Sequence, residues 1–222
     1  MTRAALIDLD GTLVDSAPEL AAAVDDMLIA LDLPPAGEAA ARERVGGGVG
    51  ALVEQSLYAA LGREPTNAER TAARQYFDTS YDQRAGRDGA VYPGVFDGLA
   101  LLRIAGFRLA CVTNKARRFT EPMLARLGLN GYLDAIVAGD DTAALKPDPA
   151  PLELAAERLG VDLGDCIMIG DSAIDVAAAR AAGCPVWCVR SGYGGSEPID
   201  TANPDAAFDR FDDLAQTLTQ NP

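Results

Sequence analysis

Along the chain, apolar residues first gather in a short continuous run, Ala4-Ala5-Leu6-Ile7 extending to Leu9, as in a strand buried on both faces. A turn at Gly11 follows. Ser16-Ala17-Pro18-Glu19 then reads as a capping box with proline in the first turn. Leu20, Val24, Met27, Leu28 and Leu31 continue at helical spacing until Pro34-Pro35 end the helix. Thr66-Asn67-Ala68-Glu69 is a second capping box, opening a helix through about Gln83. Between them lie the glycine run Gly46-Gly47-Gly48-Val49-Gly50 and a helical stretch over 51–61. Residues 16–89 thus predict helices only.

From Tyr92-Pro93-Gly94 onward the pattern changes to alternation. Strand-like apolar runs occur at 108–112, 135–138, 166–169 and 186–189. Helical segments separate them, carrying Leu99 and Leu102, then Met123, Leu124 and Leu127, then Leu152, Leu154 and Leu159, then 176–182. Continuous apolar strands alternating with helices predict an α/β fold with a doubly wound, Rossmann-like parallel sheet. The chain makes its first strand, leaves to build a helical insertion over 16–89, and returns to complete a core domain of 1–15 and 90–222.

Composition narrows the chemistry. The 222 residues contain no histidine, which excludes Ser-His-Asp hydrolysis, Cys-His proteolysis, His-ligated zinc and phosphohistidine intermediates. Lysine is nearly absent as well, with only Lys115 and Lys146 beside 17 arginines. Net charge is −14, a field that repels phosphate backbones and anionic lipid, so neither nucleic acid nor a membrane surface is an expected partner. Cys111, Cys166, Cys184 and Cys188 form no CxxC pair and read as small buried hydrophobes. No leader pattern and no apolar run of ~18 residues occurs, so the chain reads as soluble and cytoplasmic.

Ligands of open α/β sheets bind at the carboxyl ends of the strands. After the first strand comes Asp8-Leu9-Asp10-Gly11-Thr12, and after the second comes Thr113-Asn114-Lys115. After the third come Asp140-Asp141, read as turn and cap residues, and then Lys146-Pro147-Asp148-Pro149; after the fourth comes Gly170-Asp171-Ser172, with Asp175 one turn later. Two or three carboxylates gathered at one sheet edge cannot all stay ionised without a cation. Oxygen ligands alone point to Mg²⁺. A metal, a lysine and a hydroxyl beside a glycine turn make a phosphate site.

Asp8-Leu9-Asp10-Gly11-Thr12-Leu13-Val14-Asp15-Ser16, Thr113, Lys146 and Gly170-Asp171-Ser172-Ala173-Ile174-Asp175 resemble the four motifs of the haloacid dehalogenase superfamily, in order. Val112-Thr113-Asn114-Lys115, the segment from Lys146 to Leu152, Ala182-Gly183-Cys184-Pro185 and Gly192-Tyr193-Gly194 look most like its bacterial phosphoglycolate phosphatases. The resemblance implies Asp8 as nucleophile, Asp10 as general acid and base, and Mg²⁺ held by Asp8, Asp171 and the Asp10 main-chain carbonyl. It implies Thr113 and Lys146 as phosphoryl-holding groups, Asp175 as a support of the metal shell, and residues 16–89 as a mobile cap. Gly11, Thr12 and Asn114, with Arg44, Gly46 and Gly47 of the cap loop, are then the expected substrate contacts. Gln55 stands where some relatives carry arginine.

The expected substrate is a small phosphorylated metabolite, 2-phosphoglycolate first, handled by a monomer or homodimer. Alternatives are a phosphatase of the same superfamily for another small phosphorylated metabolite, such as a sugar phosphate or pyrophosphate, or a phosphotransferase resembling β-phosphoglucomutase. A phospho-accepting receiver module is the remote one, since it starts with adjacent acidic residues and needs no insertion. Phosphonatase chemistry requires a cap lysine for a Schiff base, and 16–89 contains none.

Overall fold

Strand β1 (Ala4–Ile7) has all four residues buried and occupies the middle of a six-stranded parallel sheet. It pairs with β4 (Arg108–Val112) on one side and β6 (Cys166–Gly170) on the other. The full order is β5-β4-β1-β6-β7-β8, with β5 at Ala135–Val137, β7 at Val186–Val189 and β8 at Ala206–Phe208. The computed structural model describes residues 3–193 and 198–220; Gly194 of the Gly192-Tyr193-Gly194 motif lies outside the described residues.

The two-residue period of the strands sorts side chains between two cores. Ala5, Ile7, Leu109, Cys111, Ile167 and Ile169 join one cluster, which α5 (Val95–Ile104), α6 (Arg117–Arg126) and α9 (Phe211–Gln220) cover. Ala4, Leu6, Ala110, Val112 and Met168 join the other, beneath α7 (Ala150–Leu159) and α8 (Ala173–Ala182). Both faces are covered, as a parallel sheet requires. β4 and β5 lie to one side of β1, and β6 to β8 to the other. Winding therefore reverses beside β1, and the crevice for a ligand opens at the carboxyl ends there.

Between β1 and β4 the chain makes a two-stranded antiparallel ribbon, β2 (Val14–Asp15) with β3 (Ala90–Val91). Within it stand α1 (Ala17–Ala30), α2 (Glu38–Arg42), α3 (Gly48–Leu61) and α4 (Asn67–Arg84). Leu20, Val24, Leu52, Phe77 and Tyr81 of these helices continue the first core cluster. The Thr66–Glu69 capping box forms as the sequence predicts.

The Ser16–Glu19 box does not. Ser16 sits at the N-cap of α1 without a side-chain cap, because its hydroxyl donates to Asp10 Oδ1 at 2.5 Å. Glu19 turns inward, accepting from the Tyr81 hydroxyl at 3.0 Å and the amides of Gly86 and Gly89 at 2.9 and 3.1 Å. Tertiary partners outcompete the local motif. β2, β3, β8 and α9 also go beyond the elements read from sequence. All four cysteines are free and buried. Among the described residues, no helix is long and apolar enough to cross a membrane.

Candidate active site

Asp8 leaves the end of β1 with its amide donating to the Ile169 carbonyl at 2.9 Å, so strand pairing fixes its backbone. Its carboxylate lies 2.8 Å from the Lys146 ammonium. Lys146 arrives from the loop before α7 and is buried. Its other two donors go to the Val112 carbonyl at 2.9 Å and Asp175 Oδ1 at 2.7 Å. Burial holds the Asp8 carboxyl well above its ordinary 3.8; Lys146 opposes the shift, and Asp175 and Asp171 add to it. Burial alone would lower the Lys146 ammonium, but Asp175 and Asp8 outweigh it and leave its pKa above the ordinary 10.5.

Asp171 follows β6. Its carboxylate accepts from the Thr12 hydroxyl at 2.8 Å and the Tyr193 amide at 2.9 Å. Two glycines make room for it. A Cβ on Gly11 would fall 2.2 Å from Asp171 Oδ2, and Gly11 also holds φ +89°, where L side chains are strained. A Cβ on Gly192 would fall 2.3 Å from the Asp171 side chain. Asp175 is fully buried and has both oxygens engaged. One accepts from Lys146, and the other from the Ser172 hydroxyl at 2.7 Å and the amides of Ser172 and Asp171 at 3.1 and 3.3 Å. With Ser172 it caps α8.

One carboxylate oxygen from each of Asp8, Asp171 and Asp175 lies within 4.8 Å of the others. Three buried carboxylates with one ammonium between two of them leave an excess of negative charge out of water. The donor set is all oxygen, which fits a hard divalent cation. Asp175 is committed to Lys146 and the α8 turn, so Asp8 and Asp171 are the pair suited to face such an ion.

Asp10 stands beside this cluster. Its Oδ1 accepts from Ser16 Oγ and, at 2.7 Å, from Lys115 Nζ. Thr113, buried at the end of β4, receives the Lys115 amide on its hydroxyl at 3.1 Å. Asn114 ties two loops together. Its amide nitrogen donates to the Lys146 carbonyl at 2.9 Å and the Gly46 carbonyl at 3.1 Å, and its oxygen accepts from the Lys146 amide at 2.9 Å.

Asp8, Asp10, Thr113, Asn114 and Lys115 form the polar floor of a pocket. Leu20 of α1, Val45, Gly46, Gly48 and, on α3, Val49 and Leu52 form its roof. The space enclosed is about 30 Å³, room for about two water-sized groups. Gly11, Thr12, Lys146, Asp171 and Asp175 surround the floor through the contacts above. Arg44 and Gly47 do not line it. The Arg44 guanidinium instead reaches Ser56 Oγ of α3 at 3.5 Å, and Gly47 is the N-cap of α3.

Three participants have no settled role in the sequence. Lys115 follows Thr113 and Asn114 at a strand end, where substrate contact and a helix-surface position read equally well, and it is a buried pocket residue. Tyr193 takes over the cap of α1, its hydroxyl accepting from the Ser16 and Ala17 amides at 2.6 and 2.9 Å and donating to Asp15 at 2.9 Å. Glu19 looked like a capping residue and is a buried anchor.

Known proteins resemble this chain in both sequence and fold. The chain is 46% identical over 216 residues to the plasmid phosphoglycolate phosphatase of Cupriavidus necator, covering 97% of this chain and 93% of that one. It is 42% identical over 212 residues to the phosphoglycolate phosphatase of Pectobacterium atrosepticum, covering 96% and 90%. A crystal structure of a predicted phosphoglycolate phosphatase from Haemophilus somnus superposes with a TM-score of 0.92 at 30% identity, over 98% of both chains. The profile of the haloacid dehalogenase-like hydrolases matches residues 2–183, and the chain belongs to that family.

Proposed function

We propose that this hydrolase is a Mg²⁺-dependent phosphomonoesterase that converts 2-phosphoglycolate to glycolate and phosphate through an aspartyl-phosphate on Asp8. The observation that carries the reading is the buried Asp8 carboxylate 2.8 Å from Lys146, with Asp171 beside it, under a small roofed pocket. The names of the relatives support the substrate.

Asp8 attacks phosphorus, and the bond to the glycolate oxygen breaks. Asp10 gives that oxygen its proton, a contribution of about 10²–10⁴-fold for a general acid. The Thr113 hydroxyl and the Lys146 ammonium hold the phosphoryl oxygens, and Lys146 keeps Asp8 oriented. Asp10, now ionised, takes a proton from the water that hydrolyses the acyl phosphate, which restores both aspartates and releases phosphate. Mg²⁺ held by Asp8, Asp171 and the Asp10 carbonyl would neutralise charge on the phosphoryl oxygens. Asp175 keeps Lys146 in place. In this reading residues 16–89 act as a cap over the core of 1–15 and 90–222, opening to admit substrate and closing to exclude bulk water. Four buried thiols suit a reducing, cytoplasmic setting.

Phosphate release from a panel of phosphomonoesters tests the reading. The highest kcat/KM should fall on 2-phosphoglycolate, vanish with EDTA and return with Mg²⁺. Undiminished turnover in excess EDTA overturns the metal; a sugar phosphate far ahead of 2-phosphoglycolate overturns the substrate.

A further inference from the structure

Phosphoryl transfer uses one of the chain's two lysines and leaves the other unexplained. All three Lys146 donors meet Asp8, Asp175 and the Val112 carbonyl. Lys115 is the only cation among the described residues that line the pocket. It is 3% exposed, a burial that an ammonium does not adopt without compensating contacts. Its Nζ lies 2.7 Å from Asp10 Oδ1 and 5.0 Å from the centre of the Tyr81 ring. An ammonium has three N–H groups. The carboxylate accepts one and the ring face takes a second; the third has no partner among the described residues.

The rest of the pocket has little to offer an anion beyond the phosphate. Leu20, Val45, Val49 and Leu52 are apolar. The first turn of α3 carries no capping side chain, so amides near Gly48 and Val49, which line the same pocket, keep donor capacity and the positive end of a 14-residue helix. A leaving group with no charge would need neither feature. One with a carboxylate close to its ester oxygen would engage both, and would escape the cost of being buried unpaired.

Resting on the phosphatase reading above, we propose that Lys115, with the first turn of α3, binds the carboxylate of the leaving group and selects a 2-phospho-acid over uncharged phosphomonoesters. Lys115 touches the part of the substrate that does not react, so its removal should change selectivity as well as rate.

The test compares 2-phosphoglycolate with 2-hydroxyethyl phosphate, which has a hydroxymethyl group in place of the carboxylate. Lys115→Met should lower kcat/KM for 2-phosphoglycolate roughly 10–100-fold more than for 2-hydroxyethyl phosphate, the range of a lost charged hydrogen bond. Any loss shared by the two substrates reports the freed Asp10. Lys115→Arg should recover part of the preference. Inhibition by glycolate, read as Ki, should weaken in Lys115→Met, a readout independent of turnover. Circular dichroism on each variant confirms that it is folded. A wild-type preference for 2-phosphoglycolate that Lys115→Met keeps intact, with an unchanged glycolate Ki, overturns this inference and leaves the proposed function standing. A wild-type enzyme that turns over 2-hydroxyethyl phosphate as well as 2-phosphoglycolate overturns the assigned substrate too, so the two failures differ.

Discussion

On the sheet side of the pocket, Asp8, Asp10, Thr113, Asn114 and Lys115 meet the ligand space from the ends of β1 and β4; on the helical side, Leu20, Val45, Val49 and Leu52 do so with no charge at all. The helices of the insertion are rich in ions, but apart from the buried Glu19 these pair away from the pocket. Arg63 with Glu69, Arg70 with Glu54 and Arg84 with Asp26 are solvent-screened pairs that add little to stability. The sheet places buried charge where strand pairing fixes the backbone, and the insertion supplies shape and dryness. A low-dielectric roof over fixed charges strengthens every interaction on the floor. Reaction chemistry should therefore fail when the floor is altered, and selectivity or stability when the roof or its attachment is altered.

Asp8→Asn strikes the floor hardest. If Asp8 is the nucleophile of the proposed mechanism, no phosphoenzyme should form without it, and turnover should fall about 10⁴-fold or more. The same change should stabilise the metal-free protein. Buried Asp8 keeps its proton to a pH well above the ordinary 3.8. In that interval the folded chain binds more protons than the unfolded one, so metal-free stability falls as pH rises through it. The asparagine variant lacks that slope, and Lys146 still has Asp175. Melting curves in EDTA from about pH 4 to about pH 8 should diverge as pH rises, with the variant higher. Parallel curves would show that the Asp8 charge costs the fold nothing.

Asp10→Asn is milder because the side chain would act only on protons. Turnover of 2-phosphoglycolate should fall about 10²–10⁴-fold while metal and substrate binding persist. The loss should shrink for p-nitrophenyl phosphate, whose leaving group needs little protonation. Single-turnover rates of phosphoenzyme formation decide it: equal slowing on both substrates removes Asp10 from the acid role.

Both residues were legible from sequence, and so were Thr113, Lys146, Asp171 and Asp175, for a common reason. Each follows an apolar strand, and in a doubly wound sheet strand ends converge whatever the loops do. The insertion offered no such rule. Ser16 and Glu19 satisfy a local capping pattern, yet their partners lie elsewhere: Glu19 binds groups 62 to 70 residues away, and Tyr193 caps α1 from 176 residues away. Arg44 looked like a substrate contact beside the glycine run, but the run carries Gly46 and Gly48 into the pocket and leaves the guanidinium on α3. β2 and β3, at two residues each, are too short for a period to show.

Asn114→Ala cuts the tie between floor and roof. It removes two bonds to the Lys146 backbone and one to the Gly46 carbonyl, so Lys146 loses its mooring and the roof loop loses a contact. The expected loss in kcat/KM is about 10–100-fold for every substrate, from bonds of about 1 kcal/mol each. A loss confined to 2-phosphoglycolate would instead make Asn114 a direct substrate ligand.

Tyr193→Phe carries the smallest effect and tests whether attachment of the roof is separable from chemistry on the floor. The Tyr193 hydroxyl accepts from the Ser16 and Ala17 amides and donates to Asp15, at the point where α1 leaves the ribbon. Arg42 of α2 pairs with Asp15 at 2.9 Å and lies over the same ring, 5.5 Å from its centre, so the ring stays held when the hydroxyl is removed. Loss of a helix cap costs about 1 kcal/mol, which lowers Tm by about 2–4 °C in a chain of this size. Ser16 keeps its own hydroxyl on Asp10, so kcat should stay within about twofold of wild type. The two readings part on the leaving group. If Tyr193→Phe lowers kcat for 2-phosphoglycolate but spares p-nitrophenyl phosphate, the hydroxyl steers Asp10 through Ser16, and floor and roof are one device rather than two.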